Sequence, residues 1–143
     1  MSGEGLECRA TRVASAILFV CQLERSIEFY RDVLLCRATI HTGDSALLLD
    51  PDGFQLYLIA RGTRAEHPSG GIGLQCLIWA ADSDKELRRL DRALQDRGGR
   101  TETRTSGGVS FLSARDPNGN RILITHPSPA RQPRAVIGSH LYV

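Results

Sequence analysis

The chain has 143 residues, 41% of them hydrophobic and 24% charged, values ordinary for a single globular domain. Lys+Arg 18 against Asp+Glu 16, well interspersed, leave a net charge of +2 and exclude nucleic-acid binding through a basic stripe. No apolar run approaches the ~20 residues of a membrane span, and residues 1–12 carry charge where a secretion signal needs an apolar core, so a cytoplasmic protein with no membrane partner is expected.

Residues 1–12 read as an N-terminal extension, with two Gly and mixed charge. Val13 to Cys21 predicts the first strand. Ser15, Ile17, Phe19 and Cys21 alternate there with Ala14, Ala16, Leu18 and Val20, and two largely apolar faces predict burial on both sides. Leu23 to Val33 predicts a helix with an apolar stripe of Ile27, Tyr30 and Leu34, widened by Phe29 and Val33. Strands follow over 36–42, 45–49 and 54–60, the first two joined by the turn Gly43-Asp44. Asp50-Pro51-Asp52-Gly53 is a second turn, in which Pro presets φ and Gly accepts a positive one.

Residues 61–70 have the composition of a linker. Ile72 to Ala80 predicts a strand. Asp84 to Arg97 predicts a helix carrying Leu87, Leu90 and Leu94, capped by Asp82 or Ser83 and stopped by Gly98-Gly99. Its Arg88, Arg89 and Arg92 stand beside Glu86 and Asp91, which predicts a solvated charged face. Strands over 100–105, 109–114 and 121–126 complete the series, and residues 127–143 form a tail broken by Pro. Between the last two strands, Asp116-Pro117-Asn118-Gly119 repeats the earlier turn. The order β-α-β-β-β therefore occurs twice, as duplication would leave it. The predicted class is α+β, a single domain over 13–126 with module one at 13–60 and module two at 71–126.

Four cysteines (Cys8, Cys21, Cys36, Cys76) contain no Cys-x-x-Cys pair and predict free thiols in a reducing compartment. Cys21 and Cys76 lie within predicted strands and read as buried small hydrophobes. His41, His67, His126 and His140 share no ligand spacing. No Gly-x-Ser-x-Gly is present, and Gly70-Gly71-Ile72-Gly73 and Gly107-Gly108 precede strands rather than helices, so neither is a phosphate cradle.

The doubled order, the phrase Leu23-Glu24-Arg25-Ser26-Ile27-Glu28-Phe29-Tyr30 and the two Asp-Pro-x-Gly strands together resemble the vicinal oxygen chelate superfamily. That is the group of glyoxalases, bleomycin-resistance proteins and extradiol dioxygenases. The resemblance implies two strongly curved mixed sheets around a cleft, and homodimers. In the metalloenzymes of the group, metal ligands stand at four equivalent points of the sheets. Counting back seven residues from Gln22 and from Asp82 puts two of these points at Ser15 and Gln75. In the strands after the Asp-Pro-x-Gly turns they fall on Tyr57 and Leu123. Leu123 offers no donor, Ser15 and Tyr57 would have to lose protons, and one amide cannot hold a hard divalent ion. No metal and no other cofactor is therefore expected.

With Ser15 and Gln75 turned inward, alternation adds Ile17, Phe19, Leu77 and Trp79, and the neighbouring strands add Gln55, Tyr57, Ile59, Arg121, Leu123 and Thr125. Such a lining suits a small apolar or aromatic molecule held by stacking and a few hydrogen bonds. Three readings stand beside one another. The first is a metal-free binding protein that sequesters its ligand unaltered. The second is an enzyme of the glyoxalase or dioxygenase type, with a divalent metal or acting through Tyr57 or Arg121. The third is a dimeric scaffold whose cleft is vestigial, and in the plainest case Phe19, Tyr57 and Trp79 fill the space between the sheets; the first is the expectation.

Overall fold

The computed structural model describes residues 11, 13–62 and 74–127. The expected N-terminal extension, linker and tail fall almost wholly outside these residues. The β-α-β-β-β order occurs twice. Module one runs β1 (Ser15–Val20), α1 (Leu23–Asp32), β2 (Arg37–His41), β3 (Ser45–Leu49) and β4 (Gln55–Ala60). Module two runs β5 (Leu77–Ala80), α2 (Asp84–Asp96), β6 (Glu102–Ser106), β7 (Val109–Arg115) and β8 (Arg121–His126). β5 begins later than expected: residues 74–76 are not in a strand, and the start of the predicted run lies outside the described residues.

Each module makes one four-stranded mixed sheet, in the order β1-β4-β3-β2 or β5-β8-β7-β6. The first strand pairs in parallel with the last, because the helix carries the chain back to the same end. The other pairs are antiparallel hairpins. The repeated turns join the last hairpin in each. Asp50 Oδ1 accepts from the N–H groups of Asp52 (2.9 Å) and Phe54 (2.8 Å), and Asp116 Oδ1 accepts from Asn118 and Asn120 (both 2.8 Å). Gly53 and Gly119 adopt φ of 92° and 84°, which a side chain would strain.

Both helices bury the stripes read from the sequence. α1 contributes Leu23, Ile27, Phe29 and Tyr30, and α2 contributes Leu87, Leu90 and Leu94. Ser83 caps α2, its hydroxyl accepting from the Glu86 N–H at 3.0 Å. α1 ends differently: Leu35 takes a left-handed φ of 59°, which lets the Cys36 N–H reach back to the Tyr30 carbonyl at 2.9 Å.

The helix-bearing sides of both sheets share one core, including Val20, Leu48, Leu56 and Leu58 from module one and Leu112, Ile122 and Ile124 from module two. Polar contacts cross the same seam. The Tyr30 hydroxyl donates to Asp116 Oδ2 at 2.7 Å, and Asn118 accepts from the Cys21 N–H at 2.6 Å and donates to the Ser26 hydroxyl at 3.0 Å. Arg89 pairs with Glu86 at 2.7 Å and also donates to the Val33 carbonyl at 2.9 Å. The arginine expected on a solvated face is thus half-buried against the end of α1, while Arg88 and Arg92 are exposed.

β1 does not bury both of its apolar faces. Ala16, Leu18 and Val20 pack into the shared core, whereas Ser15, Ile17 and Phe19 are exposed on the side away from the helices. Cys21 lies just past the end of β1 and is exposed, not a buried hydrophobe. Cys36 is buried, Cys76 half-buried, and all three are free thiols.

Candidate functional site

The face of each sheet opposite its helix is where the sequence places a site, and backbone register shows what reaches it. On module one, Ser15 stands beside Gln55, Ile17 beside Tyr57, and Phe19 beside Ile59. These residues share the helix-free face, as alternation requires. Ile17 is 63% exposed, Phe19 50% and Tyr57 36%, so this face is an open apolar and aromatic surface. At its end the Arg61 guanidinium lies over the Phe19 ring, 4.6 Å from the centroid. Arg61 is held there by backbone, its N–H donating to the Val20 carbonyl at 2.8 Å.

On module two the expected set divides. Arg121 and Leu123 lie on the helix-free face, and Leu123 packs there with Val109, Phe111 and Cys76. Leu77 and Trp79 lie on the other face, packed against the shared core, with the Trp79 ring 6.2 Å from that of Tyr30. Gln75, ahead of β5, shares the parity of Leu77 and not that of Leu123. The residues on the helix-free face are instead Cys76, Ile78 and Ala80, with Ile78 beside Leu123. Ile78 is 43% exposed.

The physical cause is a slip of one position, which in a strand exchanges the two faces. Counting back from Asp82 treats it as the equivalent of Gln22, but the residue at the start of α2 is its cap, Ser83. Counting from Ser83 reaches Cys76. The signal is present in the sequence, since a Ser three residues before Glu86 is a helix-start pattern.

The four points at which the resemblance implies metal ligands are therefore Ser15, Tyr57, Cys76 and Leu123. These residues do not fit a hard divalent ion: one is a hydrocarbon, two are hydroxyls that must ionise, and the fourth is a thiol. Burial pushes the Cys76 thiol upward from its ordinary range, against the nearby positive charge of Arg121, which disfavours the thiolate a metal would need. Among the described residues no three His, Cys, Asp or Glu side chains come together. His41 faces Glu24 at 2.8 Å, and His126 Nδ1 lies 2.8 Å from the Ala81 carbonyl, on the helix side. His67 and His140 lie outside the described residues. Among these residues, no helix is long and apolar enough to cross a membrane.

The model of the Glyoxalase/Bleomycin resistance protein/Dioxygenase superfamily matches residues 12–124, and the chain belongs to that superfamily. No curated protein matches it. Among solved structures, it is similar to the glyoxylase/bleomycin resistance protein/dioxygenase domain from Frankia sp. EAN1pec. The TM-score is 0.70 at 17% identity, over 81% of this chain and 96% of the other. Lactoylglutathione lyase from Agrobacterium tumefaciens superimposes with a TM-score of 0.62 at 18% identity, covering 80% and 92%. The fosfomycin resistance protein FosX from Listeria monocytogenes, complexed with Mn(II) and sulfate, gives 0.70 at 11% identity, covering 87% and 97%. At these identities the likeness is one of fold.

Proposed function

We propose that the protein binds a small apolar or aromatic organic molecule on the helix-free faces of its sheets, without a metal and without transforming it. The observation that carries this reading is the pairing of two features on the helix-free faces of the two sheets. Ile17, Phe19, Tyr57 and Ile78 leave a large apolar area in water, which soluble proteins seldom keep without a partner. The four points where a metalloenzyme would need donors are Ser15, Tyr57, Cys76 and Leu123.

The same exposed area supports a homodimer, since a second copy would remove part of it from water. Free thiols at Cys21, Cys36 and Cys76 support a cytoplasmic location.

Metal analysis of protein purified without chelator tests the first claim. Substoichiometric Mn, Fe, Ni and Zn are expected, with ligand binding unchanged by EDTA. A stoichiometric ion whose removal abolishes binding would overturn it. Binding itself is read by amide chemical-shift changes, expected at Ile17, Phe19 and Tyr57. Trp79 is turned to the core, so its fluorescence is a poor reporter. Light scattering of the purified chain tests the dimer.

A further inference from the structure

Charge on the open face of module one narrows the ligand class. None of β1 to β4 contains an Asp or Glu in its sequence. Two arginines border the same face at opposite ends. Register places Arg37 beside Leu49, in the row of Gln55 and Ser15, while Arg61 lies over Phe19 in the row of Ile59. Among the described residues neither forms an ion pair with a carboxylate. The strands of this face are apolar, edged with positive charge and without a carboxylate of their own; among the described residues the acidic group at the Arg61 end is Asp44, in the turn between β2 and β3, whose carbonyl accepts from the Ala60 N–H at 2.8 Å.

The two arginines are not equivalent. Stacking on an aromatic ring holds a guanidinium flat and leaves its N–H edge directed outward, the geometry that grips a carboxylate with two parallel hydrogen bonds. Arg61 is ordered in this way before any ligand arrives, so less side-chain freedom is lost on binding. Among the described residues Arg37 has no such support, and it stands on an exposed edge strand. The Arg61 guanidinium lies over the row of Phe19 and Ile59, two residues along the strand from the row of Tyr57, about 7 Å in extended backbone. That span accommodates a bicyclic aromatic body with one end at the Tyr57 ring and the other at the guanidinium.

We infer that the ligand is an organic anion, an aromatic or apolar body bearing a carboxylate or similar group, whose charged end is bound by Arg61 stacked on Phe19. This rests on the proposed binding function and specifies the chemistry of that site.

Three compounds of one shape and different charge test it on the full-length chain: 2-naphthoate, 2-naphthamide and 2-naphthylmethylamine, titrated by amide chemical shifts at fixed ionic strength. The carboxylate is expected to bind at least tenfold more tightly than the amide, and the amine more weakly than either. Arg61→Gln is expected to bring the carboxylate to the affinity of the amide while leaving the amide within twofold. Arg37→Gln is expected to change carboxylate binding less than threefold. Arg61 is exposed, so its replacement leaves the core intact.

Equal binding of all three compounds would overturn the anion inference and leave the binding function standing. So would an unchanged carboxylate affinity in Arg61→Gln, or a larger loss in Arg37→Gln. Absence of binding by any of the three, with no shift on the open face, would overturn both.

Discussion

The two modules share a backbone plan and differ in what they do with it. Tyr57 and Leu123 occupy the same place, each seven residues after the Asp of its turn, yet Tyr57 is open to water and Leu123 is 2% exposed. One step further, Ile59 is half-buried, whereas Thr125 is fully buried and its hydroxyl has no hydrogen-bond partner among the described residues. The turns diverge in the same sense. Among the described residues the Asp50 carboxylate bonds within its own loop, while Asp116 also accepts from the Tyr30 hydroxyl across the seam. Duplicated halves need not keep duplicated tasks. Module one presents the open surface, and module two supplies the polar latch that ties the halves together.

The largest effect should come from breaking that latch. Asp116→Ala orphans two loop N–H groups, the Asn120 amide and the Tyr30 hydroxyl, and is expected to cost about 4 kcal/mol in urea denaturation. Asp50→Ala, at the equivalent and more exposed turn, should cost about 1 kcal/mol. Equal costs would remove the distinction between the turns.

Next come the two helix-free faces. Leu123→Ala should destabilise the chain by about 3 kcal/mol, because it empties a packed site. Ile17→Ala should cost under ~1 kcal/mol and show itself mainly as weaker ligand binding. A stability loss at Ile17 matching that at Leu123 would mean that the module-one face is packed in solution.

Tyr30 allows a finer test. Burial, and then the adjacent Asp116, push its phenol well above the ordinary 10.0. The folded chain keeps this proton at a pH where the unfolded chain releases it. The resulting stability is complete below pH 10 and is lost as pH rises above it toward the folded-state value. Tyr30→Phe should cost about 1–2 kcal/mol at neutral pH, and its denaturation midpoint should fall less steeply than the parent's above pH 10.

The smallest effect is expected at Leu35, half-exposed and held at positive φ. Leu35→Gly relieves a conformation costing about 1–2 kcal/mol, offset by the greater freedom of Gly in the unfolded chain. A rise in melting temperature of roughly 3 °C is expected.

Much of the chain is legible in its residue order. Asp-Pro-x-Gly turns, the stripes of both helices and the alternation along β1 and β4 are local patterns, decided by φ preferences and by periods of 3.6 and 2. Alternation therefore puts Ser15, Ile17, Phe19, Gln55 and Tyr57 on one face, and the backbone register agrees. The error at Leu77 and Trp79 arises where a local pattern is thin. β5 is four residues long, and apolar residues on both sides give alternation nothing to choose between. Its register depends on one capping residue.

Sequence by itself determined the order of elements, the duplication and which side of each helix is apolar, since each follows from neighbours a few residues apart. Only the tertiary structure decided that Tyr30 meets Asp116, that Arg89 reaches the end of α1, that Arg61 covers Phe19, and which apolar face of β1 stays in water. Those outcomes depend on how two sheets share one core, and no spacing along the chain encodes the distance between residues that the fold brings together.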